Sequence, residues 1–283
     1  MDNETSFQQI RPQLFSLAYR MLGTRADAED IVQDAYLRWR SASVEEVRSP
    51  KSYLTTVVAR LSLDSLKSAR RKRETYVGEW LPEPLVEPPG TTAVEMAESL
   101  SLAFLHVLEA LSPDERVAFL LREVFDADYS EIAATLATSE SNCRQLIARA
   151  RKHIRARRPR FQVDRDRQQG VLRQFLAACR TGDPSQLLPL LSADVVLHSD
   201  GGGKVPATIN PIYGADKVSR FFRGLVKKGV GLDLSVKLVE VNANPGALLM
   251  QGENPNTVVS IQLDTSSKIR QIFLVTNPDK LPR

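Results

Sequence analysis

Cysteine is scarce in this chain: two residues, Cys143 and Cys179, in 283. Both fall at apolar positions of separate helical patterns, which argues against a disulfide framework and for buried thiols in a reducing compartment. Histidine is as sparse. His106, His153 and His198 lie far apart and no zinc-type Cys/His spacing occurs, so neither a metal site, a cofactor nor a local nucleophilic triad is expected. No apolar run approaches the roughly 18 residues of a membrane span. The polar start MDNETSFQQIR lacks the apolar stretch of a signal peptide. A cytoplasmic protein with no membrane partner is the expectation. A large excess of either charge is missing too, with 38 basic against 34 acidic residues. Any charged partner must therefore be met by local sorting of charge.

That sorting is pronounced. Residues 1–167 hold about 25 charges of each sign in separate acidic and basic blocks, and the remainder holds 13 basic and 9 acidic residues. Length alone suggests about two domains, and the periodicity refines this to three. Helical spacing runs to residue 75, and YVGEWLPEPLVEPPGTT then brings Pro and Gly at helix-breaking density. The expected boundaries are a first helical domain at 1–75, a linker at 76–98, a second helical domain at 99–160 and a third domain at 168–283. In the third, two or three helices precede alternating stretches such as LDLSVKLVEV, TVVSIQLD and IRQIFLV, the pattern of an α+β fold. There is no internal repeat.

The strip SNCRQLIARARKHIRARRPR, residues 141–160, has eight Arg or Lys side chains and no acid. Its apolar residues Cys143, Leu146, Ile147, Ala150 and Ile154 form one stripe at helical spacing. The other faces carry Ser141, Asn142, Arg144, Gln145, Arg149, Lys152 and Arg155. Small hydrogen-bonding groups come first and cations later, the order that suits a helix reading base edges while it neutralises flanking phosphates. Upstream, YSEIAATLA spells a short amphipathic helix and TSE a capping turn, completing a helix-turn-helix pattern. A membrane-surface or partner-groove helix, or a solvated helix end, is the alternative.

Two further helices carry sorted charge. In TRADAEDIVQDAYLRWR the stripe Ala28, Ile31, Val32, Ala35 and Trp39 leaves Asp27, Asp30, Gln33, Asp34 and Arg38 on other faces; composition alone is satisfied by carboxylates complementing a helix start. SPKSYLTTVVARLSLDSLKSARRKRE opens with a Ser49 cap and Pro50 at the first helical position. Its stripe Leu54, Val57, Val58 and Leu61 leaves Arg60, Lys67 and Arg70 aligned, and Arg70 to Arg73 close it with more positive charge than a helix dipole needs. A second nucleic-acid surface is the reading.

This layout resembles the bacterial sigma-70 family and, more narrowly, the extracytoplasmic-function (ECF) sigma factors. LGTRADAEDIVQDAYLRW resembles the helix that binds core RNA polymerase, which assigns Asp27, Asp30, Gln33, Asp34 and Arg38 to that partner. SPKSYLTTVVARLSLDSLKSARRKRE is similar to the segment that captures and melts the -10 element of promoter DNA, implicating Lys51, Tyr53, Arg60, Lys67, Arg70 and Arg71. LSPDERVAFLLREVFDADYSEIAATLATSESNCRQLIARARKHI is similar to the domain that reads the -35 element. WLPEP (Trp80, Leu81, Pro82, Glu83, Pro84), DGGGK (Asp200, Gly201, Gly202, Gly203, Lys204) and NPDK (Asn277, Pro278, Asp279, Lys280) resemble the signature of sigma factors with a fused C-terminal SnoaL-like domain, the SigJ type. The resemblance implies two all-α sigma domains, the second with a helix-turn-helix, plus a cone-shaped α+β domain that tunes sigma activity in cis. No separate anti-sigma factor is then expected.

Read as residues alone, DGGGK allows close backbone approach or a plain hairpin turn. WLPEP places a Trp and a Leu on a Pro-stiffened strand suited to docking. The third domain's helices leave room for an apolar cavity and a small-molecule ligand. Asp194, His198 and Asp200 cluster at VVLH, where alternation puts His198 inward on one reading, but no residue earns a catalytic role. The expected function is a promoter-specificity subunit of RNA polymerase that works by binding. The alternatives are a one-component regulator with a ligand-sensing third domain, and a DNA-tethered isomerase or cyclase.

Overall fold

In a computed structural model the described residues are 3–41, 49–73, 75–89, 101–157, 164–231 and 233–282. They divide into two compact units, one formed by residues 1–75 with 105–158 and the other by 76–104 with 159–283. The Pro-rich stretch expected to be a linker thus belongs to the same unit as the C-terminal residues.

The first unit is helical. It comprises α1 (Asn3–Leu22), α2 (Arg25–Ser41) and α3 (Pro50–Arg73), then part of α4 (Leu102–Leu108), α5 (Pro113–Glu123), α6 (Tyr129–Leu136) and α7 (Glu140–Arg157). Gly23, at φ 77°, ends α1 in the left-handed conformation, its N–H bonded to the Tyr19 carbonyl, so that α2 can start two residues later. The α2 stripe expected from the sequence is buried in full, from Ala28 to Trp39. Ser112 with Glu115, and Asp128 with Glu131, form reciprocal capping boxes that start α5 and α6. Helix α6 stops at Ala137, a non-glycine residue at φ 50°. The Ser139 hydroxyl then accepts the Asn142 N–H, 3.2 Å, to begin α7. This is the turn of a helix-turn-helix, built from capping chemistry. The Arg116 side chain is buried between the two halves of the unit, donating to the Met21 carbonyl and to Glu109, both at 2.7 Å.

The second unit is α+β. Helices α8 (Arg165–Thr181), α9 (Pro184–Leu187) and α10 (Ala215–Lys227) pack on strands β1 (Val86–Glu87), β2 (Leu191–Asp200), β3 (Ile212–Tyr213), β4 (Ser235–Val241), β5 (Asn244–Gln251), β6 (Asn254–Leu263) and β7 (Ile269–Val275). The sheet order is β1-β4-β5-β6-β7-β2-β3, with β2 and β7 parallel and the other pairs antiparallel. Side chains alternate across a strand, so the sheet has two differently occupied faces. On one lie Val195, Leu197, Ala247, Val259 and Leu274, packed against Leu172 and Phe175 of α8 and Val218 and Phe222 of α10. On the other lie Leu248, Met250, Val258, Phe273 and Val275, covered by Leu81, Leu102 and Ala103. The cone expected for the C-terminal domain is therefore a curved sheet with helices inside it and the Pro-rich stretch outside. The sequence reading missed β5, whose Pro245 and Gly246 read as punctuation, and β1, which is two residues long.

Candidate nucleic-acid interface and linker clamp

Helix α7 separates its residues as its periodicity demands. Cys143, Leu146, Ile147, Ala150 and Ile154 are all buried, while Ser141, Asn142, Arg144, Gln145, Arg149, Lys152 and Arg155 are all exposed. Two of the cations are partly engaged. Arg144 pairs with Glu140 at 2.8 Å and lies 4.7 Å over the Tyr129 ring, and Arg149 meets Glu115 at 3.3 Å. The Arg144 pair is exposed on both sides and contributes little, while Arg149 keeps its own guanidinium exposed above the buried Glu115, so both remain accessible to a phosphate. What remains is a continuous polar and cationic face on a capped, rigid helix.

Helix α2 presents Asp27, Asp30, Gln33, Asp34 and Arg38 as exposed side chains above its buried stripe. On α3, Lys51 is exposed and Tyr53 is half-buried against Trp39, ring centroids 5.7 Å apart. Arg60 and Lys67 have other engagements in this structure. Arg60 donates to the Thr135 and Ala134 carbonyls of α6 at 3.2 and 2.6 Å, and Lys67 meets Asp114 at 3.2 Å. Ser52 beside them donates to Glu131 at 2.5 Å. The sequence reading missed this interlock, since nothing local announces a contact between residues 75 positions apart. Arg70 and Arg71 belong to α3, but their side chains lie outside the described residues.

The three signature motifs meet in the second unit. The Asp200 carboxylate, 0% exposed at the end of β2, accepts four hydrogen bonds. Oδ1 takes the Tyr76 hydroxyl at 2.6 Å and the Gly202 N–H at 3.0 Å; Oδ2 takes the Leu81 N–H at 2.9 Å and the Lys280 ammonium at 2.7 Å. Lys280 also donates to the Leu81 carbonyl at 2.6 Å and lies 4.1 Å over the Trp80 ring. A buried charge is tolerable only when paired and fully hydrogen-bonded, and here both partners are. Asn277 donates to Tyr76 at 2.9 Å and caps the short 3-10 turn Pro278–Lys280. Burial, together with the bond to Asp200, pushes the Tyr76 hydroxyl pKa upward, so it remains a donor.

Each glycine of DGGGK has a reason. A Cβ on Gly201 would lie 2.4 Å from the Val205 carbonyl oxygen and one on Gly202 2.4 Å from Asn277, while Gly203 would meet Val77 at 3.0 Å; Gly202 and Gly203 also have φ near +65°. Lys204 pairs with Asp279, but both are exposed, so this pair closes the surface and adds little. Leu81, Pro82 and Pro84 are buried, with Trp80 and Glu83 half-buried. Beyond them Leu85 exchanges hydrogen bonds with Asn242, and Val86 pairs with Val241 as an added strand. The sequence reading missed Tyr76, whose part depends on a partner more than a hundred residues away. It also misplaced His198: the ring faces away from the helices, bonded to Glu79 at 2.8 Å and stacked on Phe273. Asp194 is exposed beside Arg270, and Asp200 is committed to the clamp, so the three do not converge.

Residues 7–72 match Sigma-70 region 2, and residues 101–154 match Sigma-70, region 4. The chain is 40% identical over 98% of its length to the ECF RNA polymerase sigma factor SigJ of Mycobacterium tuberculosis, of which the match spans 92%. The chain belongs to the ECF sigma factors. A second relative, the probable ECF RNA polymerase sigma factor SigI of the same organism, is 36% identical over 74% of this chain and 71% of its own. The crystal structure of M. tuberculosis SigJ superposes with a TM-score of 0.80 at 38% identity, covering 98% of this chain and 97% of that one. A sigma factor acts by binding core RNA polymerase and promoter DNA, so the one-component reading is set aside. Among the described residues no helix is long and apolar enough to cross a membrane.

Removing either partner of the clamp strands a buried charge. Asp200→Ala and Lys280→Ala should each lower the unfolding free energy of the full chain by about 3–5 kcal/mol, read by urea denaturation. The double substitution should cost clearly less than the sum of the two. Strict additivity would show that the two residues act separately.

Proposed function

We propose that this ECF sigma factor directs promoter-specific initiation, with the C-terminal unit regulating it in cis and no separate anti-sigma factor required. The observation that carries the DNA-reading part is the clean division of α7 into a buried apolar stripe and an exposed polar and cationic face. On this reading Ser141, Asn142, Arg144 and Gln145 approach base edges of the -35 element, and Arg149, Lys152 and Arg155 contact phosphates. The acidic face of α2 docks on a basic surface of core polymerase, Asp30 and Asp34 being central. Helix α3 takes the -10 element through Lys51, Tyr53, Arg60, Lys67, Arg70 and Arg71.

The contacts of α3 with α6 give this reading a condition. The Thr135 and Ala134 carbonyls occupy the Nε and Nη2 edge of Arg60, so on this reading a two-bonded grip on a -10 phosphate through that edge follows a parting of α3 from α6. Regulation in cis is supported by the clamp, which folds residues 76–84 into the C-terminal unit. Residues 76–84, the first part of the stretch between the two sigma regions, are thereby held by Asp200 and Lys280. The DGGGK and NPDK motifs act here as one device.

Three measurements test the proposal. Lys152→Ala should weaken promoter binding at every sequence and reduce the salt dependence of binding by about one unit of slope; a changed base preference instead would move Lys152 from phosphate to base contact. Asp34→Arg should abolish association with purified core polymerase while leaving DNA binding by α7 intact, and retained association would remove α2 from that role. Transcription by sigma-free core enzyme should start at discrete promoters with the full chain, and Lys280→Ala should change promoter output or choice. Output unchanged by Lys280→Ala would refute control through the clamp, and no initiation at all would refute the sigma assignment to this chain.

A further inference from the structure

The helix-side face of the sheet takes no part in the clamp. It encloses, with α8 and α10, a cavity of about 700 Å³, within the range of small-molecule sites. Strand alternation decides the lining: Ser199 of β2, Leu249 of β5, Thr257 and Val259 of β6 and Leu274 of β7 all point the same way, toward Phe175, Phe221 and Leu225 of the helices. Most of that wall is aromatic or aliphatic. Cys179 adds to it, because burial holds its thiol protonated.

The few polar groups are distinctive. Among the described residues no carboxylate lines the cavity, and the charged ones that do are two cations, Arg180 and Lys228, both exposed and therefore at the mouth. Inside, Ser199 is 4% exposed, and the Thr208 hydroxyl is buried with no hydrogen-bond partner among the described residues. A site with an apolar body, a buried unpaired hydroxyl and charge of one sign at its entrance is complementary to a molecule with an apolar body and a single negative end. We propose that this cavity binds an amphipathic carboxylic acid, its apolar part against Phe175, Phe221, Leu225 and Leu249 and its carboxylate at the mouth beside Arg180 and Lys228.

The cavity adjoins the clamp through one strand. Ser199 lines the cavity and its neighbour Asp200 anchors the clamp. Thr276 also lines the cavity, and its N–H and hydroxyl donate to the Asp200 carbonyl at 2.8 and 3.1 Å. Val205 to Thr208, the loop that follows DGGGK, form part of the same wall. A ligand that presses on this wall presses on the backbone that holds Tyr76 and Leu81.

The probe is decanoate below its micelle concentration, titrated calorimetrically into the full-length protein beside 1-decanol and decylammonium. Decanoate should bind with one-to-one saturation and more tightly than decylammonium. Arg180→Glu with Lys228→Glu, both surface substitutions, should weaken decanoate at least tenfold and leave 1-decanol unchanged. Saturating decanoate should also slow the labelling of Cys179 by a small neutral thiol reagent, read by mass spectrometry of its peptide. Absence of saturable decanoate binding, decylammonium binding as tightly, or indifference to the charge reversal overturns the proposal. Unprotected Cys179 under saturating decanoate overturns the placement. None of these readouts uses transcription, so they stand or fall separately from the sigma reading above.

Discussion

The buried pair Asp200 and Lys280 is the contact on which the C-terminal half of this protein depends. A carboxylate with no exposure is stable only because an ammonium group, a phenol and two backbone amides converge on it. Those groups come from residues 76–81, 200–202 and 280, so satisfying one charge draws together three distant segments. The close approach this requires explains three consecutive glycines, where any side chain would collide with Val205, Asn277 or Val77. It also explains why residues 76–84, which read as linker, are folded against the sheet: Leu81 lies in the core with Phe273 and Val258.

From that constraint follows the two-faced sheet. Period-two alternation in β2 sends His198 and Asp200 to the clamp side and Leu197 and Ser199 to the helix side. The strand thereby touches both the segment that joins the sigma regions and the enclosed cavity. Adjacent residues on one strand are a short mechanical path, because a shift of the strand moves both faces together.

The helical unit follows a simpler rule. Its helices bury apolar stripes and leave charge outside, sorted by helix: acid on α2, base on α7. Helix α3 differs, because part of its basic face is sealed by α6 through Arg60 and Ser52. The same guanidinium that a promoter phosphate would attract donates to two backbone carbonyls in the last turn of α6, where a helix leaves its acceptors open. On the proposed reading, -10 capture trades these bonds for bonds to phosphate, and the two sets are similar in kind.

Sequence alone determined the helical character of the first unit and the buried stripes and exposed faces of α2 and α7, because periodicity and capping are local properties of the chain; of the expected α3 stripe Leu54 and Val58 are buried and Val57 and Leu61 half-buried. It also marked WLPEP, DGGGK and NPDK as linked, through resemblance, and left the glycine run open between close approach and a hairpin turn. Tertiary structure decided what those motifs do to one another, since a buried ion pair between residues 80 positions apart leaves no periodic trace. It likewise decided the role of Tyr76, the direction of His198, the existence of β5 behind a Pro-Gly pair, and the engagement of Arg60 with α6. In each case the partner is remote in sequence, and only folding brings the two chemistries within hydrogen-bonding distance.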